Sequence, residues 1–497
     1  MSLIKVSNLT FAYEGSYDDV FTDASFQIDS DWKLGFCGRN GRGKTTFLKL
    51  LMNEYEYSGA ISAAVDFVYF PFRIEDENLP VSDILYSTAP DAEDWQLKRE
   101  LFRLSVDENA LRRPFSTLSG GEKTKVLLAG LFLLDNAFLL IDEPTDHLDM
   151  AARETVARYL NDKSGFILVS HDRSFLDGCV DHILSINKNS IDVMSGNFSA
   201  WWAQKQRQDA FEAAQNERLE AEITRLKETA AQTAAWSDRV EKSKNQPLKS
   251  GLSADKGYIG HRAAKMMKRS KAVETRRQNA ADEKSKLLKN TERADALKIH
   301  PLNYHSRRLL SMEKASAAYG GCVLFEPLSF TLAPGDRLAI TGGNGSGKSS
   351  VLRLLCGKGA EHTGQVYIGS GLIVSYVPQD ASFLNGDLRA FANERQIDES
   401  LFKAILRKLD FSRVQFEKDM GDYSAGQKKK VLLAASLSQQ AHVYIWDEPL
   451  NYIDVLSRIQ IEELIITYRP TMVFAEHDRA FCDKAATKRI ELLAPGD

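Results

Sequence analysis

One glycine-rich motif occurs twice in this sequence, and that repeat limits the chain to few folds. Residues 38–45 and 342–349 both match G-x-x-x-x-G-K-[ST], the pattern of a phosphate-binding loop. The two motif lysines, Lys44 and Lys348, are 304 residues apart. Three further pairs follow in the same order, 305 or 306 residues apart: Ser119 and Ser424, Glu143 and Glu448, His171 and His477. The chain is therefore a tandem duplication of one nucleotide-binding domain.

Each glycine loop follows a short apolar stretch and opens a helical pattern, as a P-loop requires. Glycines let backbone N–H groups converge on phosphates, and the helix N-terminus adds a favourable dipole. A single match could be an ordinary glycine turn, but two matches in register exclude that alternative. We expect these loop residues to bind ATP: Gly38, Asn40, Gly41, Gly43, Lys44, Thr45 and Thr46 in the first copy, and Gly342, Asn344, Gly345, Gly347, Lys348, Ser349 and Ser350 in the second.

Two apolar strands, one in each copy, end in an Asp-Glu pair. In an α/β architecture, a carboxylate at the end of such a strand lies beside the P-loop. Asp142 and Asp447 suit Mg²⁺, together with the hydroxyls of Thr45 and Ser349. Solvated acids at a strand end are the alternative for either pair alone. The catalytic residues expected to polarise the attacking water are Glu143 and Glu448.

Each copy also places a histidine after a further apolar strand. His171 and His477 follow the glutamates by 28 and 29 residues, which favours a contact with the γ-phosphate over a purely structural role. Residues 118–122 read Leu-Ser-Gly-Gly-Glu, and residues 423–427 read Tyr-Ser-Ala-Gly-Gln, each before a helical run. Serine and glycine at a helix start form an N-cap and an anion site.

These motifs together resemble the set found in ATP-binding cassettes, and the whole chain resembles the ABC-F family. That family joins two cassettes in one polypeptide through a charged helical linker, without a membrane domain. The resemblance implies an α/β fold: two P-loop ABC nucleotide-binding domains joined by a long α-helical hairpin linker. The expected domains are 1–200, a basic hairpin at 201–305 with its tip at about 240–262, and 306–497. The segments closest to the Lsa-type antibiotic-resistance branch are 38–44, 118–126 and 444–452.

The resemblance further implies two ATP molecules held head to tail between the cassettes of one monomer. The P-loop of each cassette would then face the signature of the other: Ser424, Gly426 and Gln427 for the first site, and Ser119, Gly120 and Gly121 for the second. Tyr13 and Tyr319 occupy the position at which the family stacks an aromatic ring on adenine; ordinary core tyrosines are the alternative. Gln379 occupies the position of the Q-loop glutamine that contacts Mg²⁺.

The first site departs from the family pattern in three places. Phe72 replaces the Q-loop glutamine, and Asp146 replaces an asparagine after the catalytic glutamate. The signature that serves this site is degenerate, with Ala425 and Gln427 in place of glycine and glutamate. We expect slower turnover at the site around Lys44.

The linker is basic although the whole chain has a net charge of −4. Residues 201–300 hold 22 basic and 14 acidic residues, a net charge of +8, which favours a polyanionic partner over an evenly mixed solvated helix pair. Candidate RNA-binding residues near the tip are Lys242, Lys244, Lys249, Lys256, Arg262, Lys265, Lys268, Arg269 and Lys271.

In the ABC-F family such a linker enters the exit-tRNA site of the 70S ribosome, approaching 23S rRNA and the P-site tRNA. The resemblance therefore implies a ribosome-binding ATPase that uses ATP and Mg²⁺ and protects the peptidyl-transferase centre from lincosamides, pleuromutilins and streptogramin A. The alternative is a housekeeping ABC-F translation factor without a drug phenotype. A soluble subunit of a separate transporter is a third hypothesis, and the basic linker weighs against it. Five scattered cysteines and the lack of a long apolar run predict a cytoplasmic protein.

Overall fold

The computed structural model describes residues 2–14, 19–146, 148–186, 191–243, 297–319, 322–359 and 361–493, together with Lys268, Ala272, Thr275 and Arg276. The chain divides into two units. One unit holds both cassettes, Met1–Trp201 and Ala294–Asp497, and the other is Trp202–Arg293. Among the described residues, no helix combines the length and apolarity needed to cross a bilayer.

The first cassette is built on two sheets. Its strands are β1 Leu3–Phe11, β2 Phe21–Asp29, β3 Lys33–Cys37, β4 Ser58–Ser62, β5 Asp66–Phe70, β6 Ala137–Asp142, β7 Phe166–Val169, β8 His182–Ile186 and β9 Ile191–Ser195. Six strands in the order β5-β6-β7-β3-β8-β9 form the main sheet, which is parallel except for β9. The antiparallel sheet β2-β1-β4 packs against α1 through a shared apolar core. Strands β6 and β7 read as continuous apolar runs because both faces of a parallel sheet are covered.

The helices of the first cassette are α1 Lys44–Leu51, α2 Val81–Thr88, α3 Asp94–Arg103, α4 Gly120–Leu131, α5 Met150–Asn161 and α6 Arg173–Cys179. The core between the two sheets and α1 contains a cluster of aromatic side chains, with Phe47 of α1 against Phe21, Phe26 and Phe36. This packing fixes α1, and with it the glycine loop, against the sheet.

The second cassette repeats this plan. Its strands are β10 Leu310–Tyr319, β11 Cys322–Val323, β12 Leu328–Leu332, β13 Arg337–Thr341, β14 Glu361–Ile368, β15 Val374–Val377, β16 Val443–Asp447, β17 Met472–Ala475 and β18 Lys488–Glu491. The main sheet, β15-β16-β17-β13-β18, is wholly parallel. Its helices are α8 Lys348–Leu355, α9 Leu388–Glu394, α10 Glu399–Lys408, α11 Ala425–Ser438, α12 Val455–Tyr468 and α13 Arg479–Ala485. The fold class expected for the two cassettes is confirmed.

A long helix, α7, runs over Phe198–Ser243. It therefore begins slightly before the expected linker boundary at residue 201. At the other end, Leu297 and Ile299 are buried in the core of the second cassette. Residues 297–305 thus pack with that cassette, although the sequence analysis assigned them to the linker, because their apolar side chains find a core there. The expected tip and second arm of the hairpin lie outside the described residues.

Candidate nucleotide-binding sites

Both glycine loops hold their lysines in the same way. Gly43 and Gly347 precede α1 and α8 with φ of 92° and 91°, a left-handed conformation that glycine adopts without strain. The Nζ atom of Lys44 donates to Gly38 O at 2.8 Å, and that of Lys348 donates to Gly342 O at 3.0 Å. Gly38 and Gly342 therefore contribute carbonyls to the lysines. Burial lowers the pKa of both lysines. The backbone carbonyls are neutral acceptors, so a bound phosphate would supply the negative charge that each ammonium group lacks.

The strand order brings the remaining motif residues to the loops. Because β7 lies between β3 and β6, the P-loop, Asp142 and His171 meet at one edge of the first sheet. The order of β13, β17 and β16 does the same for Asp447 and His477 in the second cassette.

The donor sets beside the loops suit Mg²⁺. Thr45 Oγ1 donates to Asp142 Oδ2 at 2.9 Å, so a hydroxyl and a carboxylate already converge there. In the second cassette, Asp447 is 1% exposed, and its carboxylate lies near the Ser349 hydroxyl without a well-formed hydrogen bond among the described residues. Burial also raises the pKa of Asp447. The described part of the chain contains no group of three or more His, Cys, Asp or Glu side chains placed to bind a metal ion. A Mg²⁺ site does not need one, because Mg²⁺ is commonly held by one or two carboxylates together with substrate phosphates.

Two cavities each take walls from both cassettes. The first cavity, about 490 Å³, lies at Lys44. Its lining is Tyr13, Val20, Asn40, Gly41, Gly43, Lys44, Thr45, Thr46, Asp142, Glu143, Asp146, Val169, His171, Ser424, Ala425, Gly426 and Tyr452. The second cavity, about 940 Å³, lies at Lys348. The predicted residues on its walls are Ser119, Gly120, Gly121, Asn344, Gly345, Gly347, Lys348, Ser349, Ser350, Gln379, Glu448 and His477. Each P-loop thus faces the signature of the other cassette.

The two signatures are helix N-caps as well as cavity walls. Ser119 Oγ accepts from Glu122 N at 3.3 Å, and the Glu122 carboxylate accepts from Ser119 N at 2.8 Å. Ser424 and Gln427 form the same reciprocal capping box at the start of α11. The side chain of Gln427 is therefore engaged with the backbone of its own helix, and not with the nucleotide site as its motif position predicts. Ser424 and Gly426 do line the first cavity.

Glu448, the expected catalytic carboxylate of the second cavity, is surrounded by hydrogen-bond donors. Gln379 Nε2 donates to its Oε2 at 2.9 Å, and Asn451 Nδ2 donates to the same oxygen at 2.7 Å. His477 Nε2 lies 3.3 Å from Oε1. Burial raises the pKa of Glu448, but the hydrogen bonds from His477 and Gln379 outweigh burial and bring it down to about 2. Glu448 is thus ionised at neutral pH.

Glu143 in the first cavity lies in an environment that favours its neutral form, in contrast to Glu448. His171 Nε2 lies 3.2 Å from Glu143 Oε1, as in the second site. The positions equivalent to the two amide donors are Phe72 and Asp146, which offer a ring and a second carboxylate. Burial raises the pKa of Glu143 well above its usual range, and the charges of Asp146 and Asp142 raise it further. Burial likewise lowers the pKa of His171 well below its usual range.

Tyr13 lies at the mouth of the first cavity and is 44% exposed. Its hydroxyl is 2.6 Å from Thr46 Oγ1, and its ring packs edge-on against Phe11 and Tyr55. This half-exposed ring therefore lines the cavity beside the P-loop, as expected for a residue that stacks on a base. The side chain of Tyr319 lies outside the described residues. So do the candidate RNA-binding side chains, except for exposed Lys268.

Several contacts that join the cassettes were not predicted from the sequence. Asn40 Nδ2 of the first P-loop donates to Tyr452 O at 3.0 Å, and Arg39 pairs with Asp410 at 3.4 Å. Arg173 forms a buried ion pair with Glu462. No motif marks these partners. The role of Asn451, by contrast, could have been found, because the duplication aligns it with Asp146.

The chain is similar to known proteins along nearly its whole length. The sequence model described as "ABC transporter" matches residues 21–146 and 325–451. The ribosome protection protein VmlR of Bacillus subtilis is 27% identical, over 99% of this chain and 87% of VmlR. The probable ATP-binding protein YheS of Escherichia coli K12 is 27% identical, over 92% of this chain and 74% of YheS.

Solved structures agree on the fold. The archaeal ribosome recycling factor aABCE1, solved in complex with the ribosomal stalk protein aP1, superposes with a TM-score of 0.64. The match covers 97% of this chain and 87% of that chain at 19% identity. A structure named RNase-L Inhibitor gives a TM-score of 0.62 at 18% identity, covering 98% of this chain and 87% of that chain.

Proposed function

The chain belongs to the ABC ATPase family, as a two-cassette member of the ABC-F type, and from this premise we propose that it protects the ribosomal peptidyl-transferase centre from antibiotics. It is an ATP hydrolase. The observation that carries the proposal is the composition of the two cavities, because each needs both cassettes in place. ATP can therefore act as the ligand that closes the two cassettes on each other. A ribosome can then bind the closed form and the open form with different affinity.

In this mechanism each nucleotide bridges a P-loop and the opposite signature. Lys44 and Thr45 would hold the phosphates and Mg²⁺ from one side of the cavity, and Ser424 of the other cassette lines the opposite side. Binding energy at both cavities thus favours the closed pair. Loss of the γ-phosphate on hydrolysis removes the contact with the opposite signature and lets the cassettes part.

The two cavities have unequal roles in the proposal. Glu448 is ionised and hydrogen-bonded, so the second cavity can polarise water at neutral pH. Glu143 is driven towards its neutral form by burial and by Asp146, so the first cavity turns over more slowly. The first cavity then holds ATP for longer and keeps the cassettes together between cycles at the second.

The linker supplies the ribosome contact. Its first helix, α7, has 46 residues and is about 69 Å long at 1.5 Å per residue. Residues 242–277 hold eleven basic residues against Asp255 and Glu274, a density that suits RNA phosphates and predicts salt-dependent binding. The candidate contacts from Lys242 to Lys271 remain predictions, as does the exit-tRNA site as their target. Similarity to VmlR, whose name describes ribosome protection, supports this choice.

The experiment that tests drug protection is expression in a drug-sensitive bacterium. Susceptibility to lincomycin, tiamulin and virginiamycin M is compared with that of the same host carrying the Glu143→Gln/Glu448→Gln variant, and tetracycline serves as an unrelated drug. We expect a selective rise in resistance to the first three drugs, only for the active chain. No rise, with equal expression, would refute protection and favour the housekeeping alternative; YheS, at the same 27% identity as VmlR, bears no protection name.

A further inference from the structure

A buried lysine in the second cassette lies between the two nucleotide sites. Lys429, on α11, is 2% exposed. Its Nζ atom donates to Pro378 O at 2.9 Å, to Gln379 O at 3.0 Å and to Asp447 O at 3.2 Å. An ammonium group has three N–H donors, so these three backbone carbonyls satisfy it fully. A single side chain thus ties α11 to the Q-loop and to the end of β16.

The three carbonyls belong to residues that serve the second cavity. Gln379 lines that cavity and donates to Glu448, and Asp447 precedes Glu448 in the chain. A displacement of the Lys429 ammonium would therefore shift both the Q-loop and the strand end that position the catalytic carboxylate. Hydrogen bonds from a charged donor are about twice as strong as neutral ones, so removing this ammonium removes three strong contacts.

The start of the same helix serves the first cavity. Ser424 and Gly426 line it. Gly426 packs so closely against Tyr452 and Asn40 that an added Cβ would lie 2.5 Å from Tyr452 O and 3.4 Å from Asn40 Nδ2. Lys429 lies five positions after Ser424, a rise of about 7.5 Å along the helix. The N-terminus of α11 thus lines the first cavity, and Lys429 of the same helix donates to backbone carbonyls beside the second cavity.

Among the described residues of the first cassette, the position equivalent to Lys429 does not hold a lysine. The residue five positions after Ser119 is Thr124, which has neither the length nor the charge of lysine. Thr124 is buried on α4, 7% exposed. In the first cassette, the ammonium of Lys123 on α4 instead pairs with the exposed side chain of Glu77, five residues beyond Phe72. The buried link from a signature helix to backbone carbonyls of the Q-loop is thus described for the second cassette.

We propose that Lys429 is a positioning residue that transmits occupancy of the first cavity to the catalytic Glu448 of the second. The proposal rests on the composite sites of the proposed function but not on the ribosome. ATP at the first cavity fixes the start of α11, and Lys429 passes that position to the Q-loop and to Asp447. Since Thr124 cannot do the same, occupancy of the second cavity affects the first less.

The test is a double-mutant cycle on ATP turnover without ribosomes. Glu143→Gln leaves hydrolysis to the second cavity, and Lys44→Ala then removes ATP from the first. We expect this step to lower kcat at the second cavity about tenfold, within the usual range of coupling between sites. In the Lys429→Met background the same step should be several-fold smaller, because the link is already absent and only the effect of ATP on closure of the cassettes remains. The reverse experiment is Lys348→Ala in the Glu448→Gln background. It should lower kcat at the first cavity by a smaller factor than Lys44→Ala lowers kcat at the second cavity.

Control variants separate coupling from general damage. Lys428→Met changes the neighbouring, half-buried lysine of the same helix and should keep the tenfold step. Lys429→Thr introduces the residue that the first cassette uses, and it replaces Lys429→Met if that variant does not fold. KM for ATP at the second cavity should stay the same in both Lys429 variants, because Lys429 lies behind the cavity wall. A tenfold step that persists in both Lys429 variants overturns the role of Lys429. The absence of any step in the parent chain overturns closure of the two cassettes by ATP, and with it the proposed function.

Discussion

Asp146→Asn should speed ATP hydrolysis at the first cavity. Asp146 occupies the position of Asn451, whose amide donates to Glu448 at 2.7 Å. At the first cavity the same position holds a carboxylate that raises the pKa of Glu143. The substitution removes that like charge and offers Glu143 a donor, with almost no change in side-chain size.

The expected change in kcat is taken from the free energy of a hydrogen bond such as that between Asn451 and Glu448 in the second cavity. A hydrogen bond to a charged group contributes about 1.5–3 kcal/mol, and about 1.4 kcal/mol is a tenfold change in rate. Taking the lower value, Asp146→Asn should raise kcat at the first cavity about tenfold. Turnover is measured in the Glu448→Gln background, in which only the first cavity hydrolyses ATP.

The matched control is the reverse exchange at the second cavity. Asn451→Asp in the Glu143→Gln background should lower kcat about tenfold, because it takes a donor from Glu448 and adds a charge. An unchanged or lower rate for Asp146→Asn, with ATP binding intact, would refute the electrostatic explanation of the asymmetry.

The two cavities should also differ in pH dependence: in Glu448→Gln, the rate should rise with pH as Glu143 loses its proton, and this rise should lie at higher pH than for an ordinary glutamate because burial and the charges of Asp146 and Asp142 raise the pKa of Glu143. In Glu143→Gln, the rate should show no carboxylate titration between pH 6 and pH 8, because the pKa of Glu448 is about 2; parallel profiles would contradict this difference. Glu462→Ala should destabilise the joined cassettes by about 3 kcal/mol, because it leaves the buried Arg173 unpaired, and thermal unfolding would measure it. The control is Glu154→Ala, which breaks an exposed ion pair between the cassettes and should lower the free energy of unfolding by less than about 1 kcal/mol. Equal losses of stability in the two variants would contradict the importance of the buried pair.

The sequence predicted the elements that carry motifs with little error. The strand before the first P-loop is found at Lys33–Cys37, and both acidic strands end at the expected aspartates. These elements are predictable because apolar runs, glycines and caps act locally. The duplication added long-range information, since it showed which residues of the two copies correspond.

The contacts that connect the copies could not be predicted in this way. Lys429 read as one of three consecutive lysines on a helix, and lysines are mostly exposed. Its burial depends on the Q-loop and β16 both passing behind α11, which only the folded cassette determines. The ion pair of Arg173 with Glu462 depends in the same way on how the two cassettes meet.

Co-sedimentation with ribosomes tests the central claim most directly. The Glu143→Gln/Glu448→Gln variant should bind ATP without hydrolysing it and so remain closed. We predict that it pellets with 70S ribosomes in ATP, is released in ADP, and loses binding as the salt concentration rises. If the ATP-bound variant stays in the supernatant at low salt while its cassettes bind ATP normally, closure of the pair does not control ribosome binding.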